Sequence, residues 1–422
     1  MKYNIWFPFT QMKTAREPLL IERAKDCTLY GKEGKTYIDA ISSWWVNIHG
    51  HANEKISASI AEQAEKLEQV IFAGFTHEPA ETLAEKLLQI APGNFSKVFY
   101  SDDGSTSVEV AVKMALQFWH NQGATRKTMI LAFEDGYHGD TFGAMSVGAP
   151  SVFNSAFSKH LFPVHHIPVP SADNLAHIFE TIRTLNIMGE IAAFIFEPLV
   201  QGAGGMKMHQ PEDLKKLLQF VREEGIICIA DEVMTGFGRT GRNFAMEWTG
   251  VQPDIICLSK GITGGFLPLG VTLCTQAVFD AFYSDDKYKT LYHGHSYTAN
   301  PLACAAANSS LDILLSEGCR QSIQRICTRH KEFGKSLGSS YIEPIKDLRQ
   351  RGTILAIEFQ NGKDSSYFDP LRDRLYDFFL ENGVLLRPLG NTVYIMPPYC
   401  IRDEELEKVY EVITEAIEKI IL

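Results

Sequence analysis

The chain has 422 residues, 45% of them apolar, and a formal charge of −11 at pH 7. This length suggests two or three domains around a large core, and an acidic excess without long charged blocks argues against nucleic acid as a partner, fitting a cationic or zwitterionic substrate or simple solubility. No apolar run reaches the ~18 residues of a membrane span, Met1 to Thr10 contain no signal-peptide core, and eight cysteines lack metal-like spacing, so a cytoplasmic protein with reduced thiols, no membrane partner and no metal is expected.

Residues 1–53 read as an N-terminal arm with a small hairpin formed by Cys27 to Tyr30 and Lys35 to Asp39. From 54 to 310 helical and apolar strand patterns alternate. Helices are predicted at 54–68, 79–90, 105–121 and 211–224, and strands at 97–101, 128–133, 191–196, 226–231, 254–259 and 270–274. This alternation predicts an α/β fold with a mostly parallel sheet covered on both faces. The last section, 311–422, opens with a long helix. Strands at 353–358 and 392–396 and helices at 369–382 and 403–420 make it a small α+β domain. There is no internal repeat and no low-complexity linker.

The chemistry lies at the carboxyl ends of the predicted strands, where open α/β sheets bind ligands. Lys260, in Leu258-Ser259-Lys260-Gly261, follows one strand, and Asp231 closes another. An amine and an acid so placed suit pyridoxal phosphate, which needs an amine to hold its aldehyde as an imine and a carboxylate to keep its ring nitrogen protonated. A lone lysine is usually a surface residue, and it is the small neighbours and the strand-to-loop junction that set Lys260 apart. Gly104 and Ser105, with Thr106, open a helix whose free N–H groups form an anion cradle, although an unliganded serine cap has the same pattern. Tyr137 and His138, between Gly136 and Gly139, place a ring where it stacks on a planar cofactor or merely closes a surface turn. Glu197 and Gln201 follow a further strand. The run Gly236 to Gly241 satisfies G-x-G-x-x-G but neither ends a strand nor opens an apolar helix, so a dinucleotide site is rejected. Arg239 within it serves substrate charge or a structural ion pair. The histidines at 49, 51, 138, 293 and 295 do not form a zinc pattern.

Taken together, Gly104-Ser105, Tyr137-His138-Gly139, Asp231-Glu232-Val233, Gly236 to Gly241, Lys260-Gly261 and His293-Gly294-His295-Ser296-Tyr297 resemble the class III, fold-type I pyridoxal-phosphate aminotransferases over nearly the whole chain. Trp6 to Thr10, Ser43-Trp44-Trp45, Gln201 to Met206, Leu386-Arg387-Pro388 and Met396 to Tyr399 are similar to the branch that forms 7,8-diaminopelargonic acid for biotin. The resemblance implies a large cofactor-binding domain, a small domain built from both termini, and a homodimer with shared active sites. It makes Lys260 the imine lysine and proton shuttle, Asp231 the partner of the pyridinium and Tyr137 the stacking ring, with His138 beside them. Gly104 and Ser105 would hold the phosphate, joined by Ser296 from the partner subunit. Phe9, Trp44, Tyr137, Arg239, Gly294 and Arg387 would form the substrate pocket, Arg387 taking the carboxylate of 8-amino-7-oxononanoate.

Phe9 stands where relatives using S-adenosylmethionine carry tyrosine, and His295-Ser296 where they carry Pro-Thr; both positions are similar to relatives that use lysine. The Trp44-Trp45 pair is similar to the S-adenosylmethionine group. S-adenosylmethionine is therefore the expected amino donor, with lysine, or a broader class III ω-aminotransferase, as alternatives. A cofactor-free binding relative would not need Lys260, Asp231 and Tyr137 together.

Overall fold

The computed structural model of the chain describes residues 4–360 and 367–422. Its centre is a seven-stranded sheet in the order Phe95–Ser101, Gly270–Thr275, Ile255–Leu258, Ile227–Asp231, Ile191–Phe196, Met129–Phe133 and His165–Ile167. All neighbouring strands run parallel except Gly270–Thr275, which is antiparallel to both of its neighbours. The three middle strands are buried along their whole length, as expected of a sheet with both faces covered.

Alternation of side chains along each strand builds two separate apolar layers. Ile195, Ile227, Ile229 and Cys257 pack on one face against Val108, Ala111, Val112 and Ala115 of helix Gly104–Asn121. Phe194, Phe196, Cys228 and Ala230 enter the other layer with Leu214, Leu217 and Val221 of helix Pro211–Glu223. Each run of β-branched and aromatic residues therefore serves both layers, while its polar end is left at the carboxyl edge of the sheet.

The N-terminal strands Ile21–Lys25, Thr28–Gly31 and Thr36–Asp39 form an antiparallel sheet, which Val384–Leu385 joins in parallel to Thr36–Asp39. A third sheet of Ile345–Arg351, Ile354–Phe359 and Thr392–Ile395 is antiparallel throughout. Helix Pro301–Leu314 runs across position 310, and the long helix Glu317–Ser340 begins after a break at Ser316, whose hydroxyl caps it through Cys319 N. Among the described residues no helix is long and apolar enough to cross a membrane, and no cluster of His, Cys, Asp or Glu is placed to hold a metal ion.

Candidate active site

A cavity of about 400 Å³ opens at the carboxyl edge of the central sheet, within the size range of small-molecule sites. Each element around it delivers one polar group. Asp231 ends its strand, Glu197 follows Phe196 directly, Lys260 stands two residues after Leu258, and Tyr137 and His138 follow Phe133 through a tight loop. Gly104 and Ser105, at the first turn of helix Gly104–Asn121, close the far end. Trp45 forms a wall, its ring centroid 4.5 Å from Lys260 Nζ.

The acidic wall is cross-braced. Asp231 Oδ1 accepts from Val233 N at 3.0 Å, and Oδ2 lies 2.7 Å from His138 Nδ1. Burial works against the imidazolium of His138, but the hydrogen bond and charge of Asp231, with Glu197 beyond, outweigh it and hold its pKa above the usual value. The Glu197 carboxyl bridges Tyr137 N at 3.1 Å and Gly202 N at 2.9 Å, and burial lifts its pKa to about 7. For Lys260, burial brings the pKa down to about 8 against the opposing pull of Asp231 and Glu197. The lysine also has φ 47°, a left-handed torsion unusual for a side-chain-bearing residue and typical of functional sites. Burial raises the Tyr137 phenol, which stays protonated.

At the helix end, Asp103 caps Thr106 N at 2.7 Å, while the amides of Gly104 and Ser105 have no partner among the described residues. A Cβ on residue 104 would lie 2.7 Å from Val233 Cγ1, so only glycine permits this approach. Ser105 Oγ accepts from Asp140 N at 3.1 Å, which ties the Tyr137 loop to the same helix start. A primary amine, a braced carboxylate, an aromatic ring and a helix start with unpaired amides thus share one cavity. That donor set fits pyridoxal 5′-phosphate: an aldehyde for Lys260, a ring nitrogen for Asp231 and an anion for the Gly104–Ser105 turn.

The other expected site residues divide. Trp44 lies outside this cavity, 39% exposed, with Phe9 edge-on at 5.5 Å and the Arg387 guanidinium 5.0 Å from its ring. Arg387 has no carboxylate partner among the described residues. Arg239, expected in the substrate pocket, is tied to the cavity wall through Trp45. It is fully buried, does not line the cavity, and donates to the carbonyls of Pro397 at 2.8 Å and Trp45 at 3.3 Å, so it holds the wall from behind. Gly294 and Ser296 are exposed and do not line the cavity of their own chain, and the Ser296 carbonyl accepts from Gln69 Nε2 at 2.9 Å. The run Gly236 to Gly241 opens no helix, only a short turn at Ala245–Trp248. Sequence reasoning overlooked Trp45 as the indole facing the lysine, and Tyr394, whose hydroxyl accepts from Trp45 Nε1 at 3.0 Å. Neighbouring tryptophans in an irregular turn carry no periodicity that tells which one points inward.

The family model for class-III aminotransferases matches residues 10–417. An adenosylmethionine-8-amino-7-oxononanoate aminotransferase of Synechococcus elongatus is 48% identical over 427 aligned positions, covering 99% of each chain. The crystal structure of an adenosylmethionine-8-amino-7-oxononanoate aminotransferase from Methanocaldococcus jannaschii superposes with a TM-score of 0.92 at 35% identity, covering 98% of this chain and 97% of the other. A PLP-bound amine transaminase from an uncultivated Pseudomonas species superposes with a TM-score of 0.91 at 30% identity, covering 99% of both chains.

Proposed function

This chain belongs to the class-III aminotransferases, and from that premise we propose that it transaminates 8-amino-7-oxononanoate to 7,8-diaminononanoate in biotin synthesis, with S-adenosylmethionine as amino donor. The carrying observation is the outer rim, where Arg387 stands over Trp44 with no acidic partner among the described residues. A guanidinium without a partner beside an aromatic wall suits a long, apolar keto acid that ends in a carboxylate. Relatives named for this reaction match along almost the whole chain.

Pyridoxal 5′-phosphate, when bound, supplies an electron sink for the carbon that loses its proton. The protein supplies the rest. Lys260 binds the cofactor's aldehyde, and its lowered pKa keeps much of its amine neutral near pH 8, so that Nζ can take up and return a proton. Asp231, held in place by Val233 N and His138 Nδ1, would face the ring nitrogen. Tyr137, whose loop Glu197 pins through the Tyr137 amide, would stack on the ring. Gly104 and Ser105 would hold the phosphate on a helix start, and Ser296 from a second copy would complete that end in a homodimer. Phe9, Trp44 and Arg387 receive the distal part of each substrate in turn.

Incubating the purified holoenzyme with 8-amino-7-oxononanoate and either S-adenosylmethionine or lysine, and assaying diamine by mass spectrometry, tests the reading. Diamine formed with S-adenosylmethionine supports it. Diamine formed with lysine alone reassigns the donor, and no diamine with either returns the chain to a broader aminotransferase.

A further inference from the structure

The most strained backbone beside the cavity is the turn Ser42–Trp45. Ser42, Ser43 and Trp45 have φ of 53°, 60° and 70°, in the left-handed region, although none is glycine. Such torsions persist only where the surroundings over-determine them. Here the restraint converges on one buried carboxylate. Asp39 Oδ1 accepts from Ser43 N at 2.8 Å and Ile41 N at 3.3 Å, while Oδ2 accepts from Ser43 Oγ at 2.9 Å and lies 2.8 Å from His51 Nε2. His51 Nδ1 is in turn 2.9 Å from Asn47 Nδ2, so the ring donates to Asp39 through Nε2 and accepts from Asn47. Residues before, within and after the turn are thereby closed on one side chain. On the far side, Ser42 Oγ donates to Met396 O at 2.9 Å.

The turn sets each of its two indoles against a different cation. The Trp45 ring lies 4.5 Å from Lys260 Nζ, and the Trp44 ring 5.0 Å from the Arg387 guanidinium. We propose that Asp39 is a specificity-determining positioning residue, which, by holding this turn, sets the spacing between the reacting amine and the carboxylate-binding arginine and hence the length of acid accepted. Asp39 does not line the cavity, and its role rests on the reading of Arg387 given above.

The Asp39→Asn holoenzyme tests this. Asparagine can still accept from the Ser43 and Ile41 amides, but its NH₂ then reverses the bond to the Ser43 hydroxyl and leaves the His51 N–H, donor against donor, without an acceptor. The expected result is a KM for 8-amino-7-oxononanoate raised about 10- to 100-fold with kcat changed less than about threefold. The methyl ester of the same keto acid, which has no charge for Arg387, should change less than about threefold in kcat/KM. In the apo-protein, amide hydrogen exchange across residues 41–47 should quicken. Should Asp39→Asn not fold, Ser43→Ala, which removes only the hydroxyl contact, should give the same pattern in smaller measure. Equal losses on acid and ester, an unchanged KM for the acid, or unchanged exchange in the turn would overturn the role of Asp39. A wild type that does not prefer the acid over its ester would instead overturn the reading of Arg387, and the proposal with it.

Discussion

The inner and outer ends of the site are built differently. The inner groups, Asp231, Glu197 and Lys260, stand on or within two residues of fully buried parallel strands, and their neighbours are fixed by sheet register. The outer groups, Phe9, Trp44 and Arg387, are half-exposed, sit in irregular backbone, and are held by aromatic contacts and by the strained turn that Asp39 ties down. A reaction common to a family needs fixed positions for proton and charge, and buried strands provide them. Recognition of a particular substrate resides in the segments that can vary without disturbing that core.

Changes at the inner end should therefore abolish chemistry, whereas changes at the rim should alter which acid is used. The largest effect is expected for Lys260→Ala, which removes the proposed cofactor anchor and proton carrier: transamination should fall by several orders of magnitude with the fold intact. Borohydride reduction and peptide mapping of the wild type should find the pyridoxyl group on Lys260, and label on another lysine would refute the assignment. Asp231→Asn comes next. It should leave cofactor bound while lowering turnover by roughly 10²- to 10⁴-fold, and near-normal turnover would mean that another group pairs with the ring nitrogen.

Arg387→Ala tests the outer end. Loss of a partly buried, charge-assisted contact should cost roughly 2–4 kcal/mol, or about 30- to 1000-fold in kcat/KM for 8-amino-7-oxononanoate. Cofactor absorbance should be unchanged, and single-turnover measurements should show a smaller loss in the donor half-reaction. An unchanged rate with the keto acid would erase the proposed contrast between the two ends.

The smallest effect is a pH dependence confined to the inner end. Burial depresses Lys260 to about 8, so the neutral amine that attacks an aldehyde is a minor form at pH 7 and dominant at pH 9. Capture of pyridoxal phosphate by the apo-protein should accelerate about fivefold from pH 7 to 8 and less than about twofold beyond. Stopped-flow absorbance would follow this, and a rate still climbing through pH 10 would show an ordinary, solvated lysine.

The elements that alternate apolar runs with helical stripes were legible in the sequence to within a residue or two: Ile191–Phe196 matches its predicted span, and Gly104–Asn121 starts one residue before its own. Helix Leu175–Leu185 escaped although Leu175, Ile178 and Ile182 form a regular buried stripe, whereas two missed strands had no such pattern. Ile345–Arg351 is rich in charge because one face is solvated, and Ile21–Lys25 is an edge strand that is largely exposed. The antiparallel insertion of Gly270–Thr275 was equally hidden, since an apolar run buried on both faces reads the same in either direction.

The sequence by itself determined the family and the cofactor chemistry, because these depend on short motifs at strand ends whose local geometry follows from the strand and the next few residues. Tertiary structure decided what depends on distant segments meeting. It committed Arg239 to the carbonyls of Trp45 and Pro397, turned Trp45 rather than Trp44 toward the lysine, and joined His138 to Asp231. The direction of a side chain in an irregular turn, and the partner a buried cation finds, are set by packing and hydrogen bonds between parts of the chain far apart in sequence, which no local pattern encodes.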